Sequence, residues 1–414
     1  MRRRHHPPLL ILAALLAVML SVGCQVAPRA GGAATVDDGG AGAQTEVTRP
    51  DDDAAAGDHV ASGDADPDGT AARPPVTLPP SCAGLPLRRL AALVLVVGMP
   101  DVTDPADPLV AELSRLGVGG VFLTGYNVTS ATQVGALVRA LRTGPAPAPL
   151  ITTDEERGRV SSFRTLLGSS SSPRTMAATL TPAQVRADGR RLGRSLADLD
   201  VDWDFAPLAD VDDGPATGVI GDRAFGSMPD VAGRYAQAFA RGLRDAGILA
   251  TAKHFPGHGA VPAGIDPHSR KVLSTASPQQ LRTRHLSPFE RLIAGDVPVV
   301  MLSHVTYGHL DRRRPASMSP AAYRLLRDMG FDGVAITDSV GMGAVHRRWK
   351  FPAAAEQAIR AGADAVLATD GTQARRMRDR LVDAVRRGRL RRRRLDEAAA
   401  RVLALRDHPH PCLR

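Results

Sequence analysis

From about residue 90 onward, short and almost wholly apolar runs alternate with longer stretches in which apolar residues recur every three or four positions. The short runs lie at 93–97, 120–123, 150–153, 201–205, 249–252, 299–302, 334–337 and 363–368. Their length predicts strands, and their lack of polar alternation predicts a parallel sheet buried on both faces. The amphipathic stretches at 108–116, 131–141, 182–199, 231–246, 278–294, 320–329 and 352–361 predict helices between them. Strand then helix, repeated around eight strands, predicts an α/β fold built as one (β/α)8 barrel. The competing arrangement is a doubly wound open sheet, but no glycine-rich dinucleotide fingerprint follows the first strand.

The N-terminal quarter of the 414 residues lacks this rhythm. Residues 1–24 pass from Met1-Arg2-Arg3-Arg4 through a short apolar core to Ser21-Val22-Gly23-Cys24. That order predicts a lipoprotein signal peptide with lipidation at Cys24, although Ser21 stands where an apolar residue is usual. Plain secretion and an uncleaved anchor are the alternatives. Residues 25–80 are rich in Ala, Gly, Asp, Pro and Thr and predict a disordered tether, leaving 81–412 for the barrel. Of the three cysteines, Cys82 and Cys412 bracket the folded part. An oxidising compartment would permit a disulfide between them; two unpaired thiols are the alternative. The cysteine spacing resembles no metal site, and neither a metal nor a cofactor is expected.

The net charge of +9 is carried almost wholly by arginine, most densely at Arg386-Arg387-Gly388-Arg389-Leu390-Arg391-Arg392-Arg393-Arg394. An exported protein rarely meets nucleic acid, so this run reads as a solvated face of a late helix, with weak attraction to anionic wall polymers as a further reading. No nucleic-acid partner is expected, and membrane contact only through the lipid.

Polar groups gather just after the predicted strands: Asp154 after the third, Lys253 and His254 after the fifth, Ser303 and His304 after the sixth, Asp338 after the seventh and Asp370 after the eighth. In a barrel these share the C-terminal rim. Each alone could be a helix cap or a satisfied surface group. The densest cluster is Lys253-His254-Phe255-Pro256-Gly257-His258-Gly259 with Ile265-Asp266-Pro267-His268, which sets a cation, three histidines and a carboxylate within sixteen residues. Only three of the 52 basic residues are lysine, so Lys253 at a strand end points to a site that wants a compact ammonium.

The 253–259 segment and the Asp-x-His that follows it resemble glycoside hydrolase family 3, in its β-N-acetylglucosaminidase branch. Four more segments agree: Asp154-Glu155-Glu156-Arg157-Gly158-Arg159-Val160, Ile220-Gly221-Asp222-Arg223-Ala224-Phe225-Gly226, residues 315–320 with 330–334, and Ile336-Thr337-Asp338-Ser339-Val340-Gly341-Met342. The resemblance spans about residues 83–407 and implies a single barrel without the family's second domain. It implies Asp338 as nucleophile, His268 as acid/base and Asp266 as the group that orients His268. Asp154, Arg223, Lys253 and His254 would hold the terminal sugar. An imidazole suits the acid/base role because it titrates near neutrality and can give a proton in one step and take one in the next.

The chain departs from the family pattern at several points. The loop between Gly259 and Asp266 is two residues longer, Ala260 and Pro267 replace polar residues, Arg157 replaces a glycine, and Ser162 replaces a sugar-binding arginine, with Arg164 as the candidate substitute. The expected activity is that of a retaining exo-β-N-acetylglucosaminidase acting on peptidoglycan-derived, N-acetylglucosamine-containing fragments at the outer face of the cell membrane or after secretion. The alternatives are another family 3 β-glycosidase, a glycoside phosphorylase, or a catalytically weak glycan-binding lipoprotein.

Overall fold

A computed structural model describes residues 84–261, 266 and 268–406. The predicted signal peptide with Cys24, the tether, and Cys82 and Cys412 lie outside the described residues.

The eight predicted strands are all present: β1 (Leu95–Gly98), β2 (Gly120–Leu123), β3 (Leu150–Thr153), β4 (Trp203–Asp204), β5 (Leu249–Phe255), β6 (Val299–Leu302), β7 (Val334–Thr337) and β8 (Val366–Ala368). They run parallel in the order β7-β6-β5-β4-β3-β2-β1-β8. A parallel bridge between Ile336 and Ala365 joins β7 to β8 and closes the (β/α)8 barrel. Around it lie α1 (Leu87–Leu93), α2 (Pro108–Leu116), α3 (Ala131–Leu141), α4 (Pro182–Ala197), α5 (Pro229–Arg244), α6 (Ser287–Ala294), α7 (Pro320–Asp328), α8 (Phe351–Ala361), α9 (Ala374–Arg386) and α10 (Arg392–Ala404).

The differences from the sequence reading have local causes. Leu93 belongs to α1, because that segment buries its apolar side on the barrel as a helix rather than extending the strand. The fifth strand continues through the charged motif to Phe255, since Lys253 and His254 find partners that let them lie buried. The stretch predicted as one helix over 278–294 contains a π-helical segment at 281–286 just before Pro288. Proline lacks the N–H for an ordinary helical bond, and the wider turn absorbs that loss.

Apolar side chains fill the barrel itself. Val96, Phe122, Leu150, Trp203, Phe205, Val299, Met301, Val334, Ile336 and Leu367 form an interior cluster. Phe205 is its hinge, 5.1 Å from the Trp203 ring edge-on and 5.3 Å from Phe122. A separate, larger core lies between strands and helices. The top of the interior cluster is the floor on which the site is built.

The arginine run does not form one solvated face. It crosses from the end of α9 to the start of α10, and parts of it turn inward. Arg394 reaches the buried Asp364 at 2.6 Å, where Arg327 at 2.5 Å and Arg401 at 3.2 Å also converge. Arg389 pairs with the buried Glu356 at 3.0 Å. Among the described residues, no helix is long and apolar enough to cross a membrane.

Candidate active site

A pocket of about 340 Å³ opens at the C-terminal mouth of the barrel. Its floor is Phe122, Phe205, Met301 and Leu367; its walls include Asp154, Arg223, Lys253, His254, His258, His268, Asp338, Ser339, Met342 and Thr369. Asp154, Arg223, Lys253, His254, His268 and Asp338, all anticipated from sequence, are therefore brought together. Asp370 is not among the lining groups; its carboxylate accepts from Thr372 N–H and caps the turn before α9.

One side of the pocket is a chain of alternating charges. Lys253 Nζ lies 2.5 Å from Asp154 Oδ1 and 2.5 Å from Glu156 Oε1. Glu156 then accepts two parallel hydrogen bonds of 2.7 Å from the Arg223 guanidinium. Burial alone would push the Glu156 carboxyl up, but Arg223 and Lys253 hold it well below the ordinary glutamate range. Lys253 is likewise buried, yet its two carboxylates raise its pKa and keep it charged. Asp154 behaves differently. Burial and the neighbouring Glu156 outweigh Lys253, and its pKa is raised to about 6. It keeps 29% of its side chain open, facing the pocket.

Glu156 thus organises both cations, a role the sequence reading did not assign although it quoted the residue. Asp210 was missed altogether. It lies beyond β4, is fully buried, and contacts His254 Nδ1 at 2.7 Å through Oδ2. It also accepts from the backbone N–H of His258 at 2.6 Å and of His254 at 3.2 Å. Despite burial its pKa is lowered by these groups, His254 foremost. The signal available in sequence was its place on the rim after the fourth strand, the same signal that marked the other sites. With Nδ1–H donated to Asp210, the Nε2 of His254 is left for the pocket. His258 packs edge-on to His254 at 5.5 Å, and its Nδ1 has no hydrogen-bond partner among the described residues. Burial and the nearby His254 lower its pKa to about 4, so its ring is neutral in ordinary buffers.

Asp338 follows β7 directly. Its backbone N–H donates to Leu302 O at 3.0 Å, and its Oδ1 accepts from Ser339 N–H at 2.7 Å. Burial disfavours the charge, but His304, His254, the Ser339 N–H and His268 together lower its pKa, so the carboxylate is ionised. The buried His304 contacts Ser339 O at 2.7 Å through Nε2 and Ser317 Oγ at 2.6 Å through Nδ1. A carbonyl only accepts, so Nε2 carries the proton and Nδ1 accepts from the Ser317 hydroxyl. The ring thereby ties the loop after β7 to the segment before α7.

The Asp266–His268 pair is the exposed part of the site, with 43% and 64% of the two side chains open. His268 Nδ1 lies 2.6 Å from Asp266 Oδ1, which also accepts from the His268 backbone N–H at 2.8 Å. The acceptor fixes the proton on Nδ1 and leaves Nε2 to face the pocket mouth. Burial disfavours the Asp266 charge, but the two hydrogen bonds from His268 together lower its pKa.

The departures from the family pattern have structural answers. Arg157 adopts φ +75°, the region glycine favours, and its buried guanidinium contacts Asp188 at 2.8 Å. Arg164 binds Gly158 O and lies 3.4 Å from Ser169 Oγ, outside the pocket lining, so it does not stand in for the arginine replaced by Ser162. Ser162 Oγ instead donates to Asp154 O at 3.0 Å. Arg159 contacts Asp222 at 2.8 Å and Ile220 O at 2.9 Å, pinning the segment that presents Arg223. Among the described residues no group of three His, Cys, Asp or Glu side chains is placed to hold a metal ion.

Cleaving an acetal at neutral pH requires a carboxylate that stays ionised and a group able to hand a proton to the departing oxygen. Asp338 and the Asp266–His268 pair have those properties on one pocket at the mouth of a (β/α)8 barrel, and a glycoside hydrolase is the class they define. Residues 89–405 match the Glycosyl hydrolase family 3 N terminal domain, and the chain belongs to that family. It is 38% identical over 352 residues to the beta-hexosaminidase LpqI of Mycobacterium tuberculosis, covering 81% of this chain and 88% of that protein. A beta-hexosaminidase of Alkalilimnicola ehrlichii is 36% identical over 260 residues, covering 60% and 73%. Among solved structures, a family 3 glycosyl hydrolase from Mycobacterium smegmatis superposes with TM-score 0.73 at 37% identity, over 79% of this chain and 98% of that one. A family 3 beta-N-acetylglucosaminidase from a Paenibacillus species superposes with TM-score 0.72 at 28% identity, over 78% and 62%.

Proposed function

We propose that this protein is a retaining exo-β-N-acetylglucosaminidase that removes terminal N-acetylglucosamine from peptidoglycan-derived fragments. The observation that carries the reading is that Asp338 and His268 line one pocket whose inner side is the Asp154–Lys253–Glu156–Arg223 chain. The apolar floor closes the pocket below, which favours a chain end over an internal unit. The relatives named beta-hexosaminidases support the hexosamine specificity.

In the first step an Asp338 oxygen bonds to the anomeric carbon as the glycosidic C–O bond breaks. His268, carrying protons on both nitrogens, gives the Nε2 proton to the departing oxygen while Nδ1–H stays on Asp266. In the second step Nε2 takes a proton from water as that water's oxygen bonds to the anomeric carbon, and the Asp338 carboxylate is released. Asp154, Arg223, Lys253 and His254 hold the sugar hydroxyls and acetamido group. The predicted lipoprotein signal at residues 1–24 supports an exported enzyme, lipid-anchored on the outer face of the cell membrane or secreted, where cell-wall fragments are available.

Steady-state kinetics on aryl β-N-acetylglucosaminide, glucoside and xyloside, with and without phosphate, test the reading. Preference for the acetamido sugar with water as acceptor is the expected result. Equal turnover of the glucoside overturns the specificity, and a phosphate-dependent sugar phosphate product overturns hydrolysis.

A further inference from the structure

The acid/base loop is held by a residue that lines no part of the pocket. Gly343 follows Asp338 by five positions, in the turn after β7, and its N–H donates to the carbonyl of His268 at 2.7 Å. A Cβ added at Gly343 would stand 2.5 Å from Ser269 O and 2.8 Å from His268 O, closer than real side chains approach backbone oxygen. The contact thus depends on the absence of a side chain rather than on an unusual backbone conformation. On the other side of the seam, Ser269 N–H and Oγ donate to Asp266 O at 3.2 and 3.0 Å, and Asp266 holds His268. The turn that carries Gly343 is itself anchored, because His304 fixes Ser339 O and Met342 N–H donates to Ser339 O at 3.0 Å.

We propose that Gly343 is a positioning residue: it docks the backbone of His268 and Ser269 onto the nucleophile's own loop and so sets the distance between His268 and Asp338. This rests on His268 serving as the acid/base group.

The test is a leaving-group series of aryl β-N-acetylglucosaminides measured on the full chain with Gly343→Ala, Gly343→Val and His268→Ala. A misplaced proton donor matters most where the departing phenol is weakly acidic. For such substrates Gly343→Val is expected to lower kcat/KM by about 10- to 100-fold, with at most a few-fold loss on the most acidic phenol and an intermediate pattern for Gly343→Ala. Circular dichroism and thermal melts establish folding, and Gly343→Ala carries the comparison if the valine variant unfolds. Equal loss across the series, or none, in the folded glycine variants overturns the proposal while a selective loss in His268→Ala leaves the acid/base assignment standing. Absence of selectivity in His268→Ala overturns that assignment and the positioning role with it.

Discussion

Asp210 Oδ2 and His254 Nδ1 meet at 2.7 Å in a fully buried contact, and the other oxygen of the same carboxylate receives the His258 backbone N–H at 2.6 Å. One side chain from the loop after β4 thus orients the His254 imidazole within β5 and anchors the backbone of His258 just beyond it. Replacing Asp210 by Asn puts an amide N–H against a donor and leaves a buried donor unpaired, at a cost of about 1–3 kcal/mol. Chemical denaturation of Asp210→Asn should show that loss, and kcat/KM should fall by about 10- to 100-fold as the His254 ring tilts. Unchanged stability and kinetics would show that the carboxylate does not hold the His254 ring.

Asp338→Ala should lower turnover of an aryl N-acetylglucosaminide by at least about 10³-fold. Azide, added in its place, should restore part of the rate and give the α-glycosyl azide. Near-normal turnover without azide, or a β-azide product, would remove Asp338 from the nucleophile's role.

Asp154 should set the acid limb of kcat/KM. Its pKa is raised to about 6, so it gains a proton as pH falls through that value and loses both its charge toward Lys253 and its strongest acceptor character. Activity against the terminal sugar is therefore expected to decline below about pH 6, and Asp154→Asn should be slower but flat across that window. An unaltered acid limb in the variant would assign it to another group.

His258 makes the fold acid-sensitive. Its folded pKa of about 4 lies below the ordinary histidine value of 6.5. Between those values the unfolded chain binds a proton that the folded chain does not, so stability is lost as pH falls from about 6.5 to 4. The full contribution is on the order of 3 kcal/mol. Asp154 acts in the opposite sense between 3.8 and about 6, so the comparison must be with a variant. His258→Asn should show a shallower loss of urea midpoint between pH 7 and pH 4.5 than the parent; identical slopes would refute it.

Arg327, Arg394 and Arg401 converge on the buried Asp364; burial opposes its charge, but the three arginines lower its pKa. Asp364→Ala removes the carboxylate that the three guanidinium groups share, leaving Arg394 its Glu397 pair and Arg327 and Arg401 their backbone carbonyls, and should cost about 3–5 kcal/mol by thermal or chemical denaturation. Loss of under a kcal/mol would mean that the arginines relax to solvent.

The sequence by itself determined the barrel, the chain positions of its strands within a few residues, and the rim on which Asp154, Lys253, His254 and Asp338 stand. Those are properties of local period and chain order, which a linear pattern carries. Only the tertiary structure decided how the polar groups divide among themselves. Glu156 is shared by Arg223 and Lys253, Asp210 serves His254 and His258, Gly343 receives His268, and Arg164 turns away where the pattern left it free to substitute. The first three depend on atoms meeting within about 3 Å between segments that are distant in sequence. Buried charges must find partners at that range or remain uncompensated, and periodicity along one strand says nothing about which residue on another strand will be there.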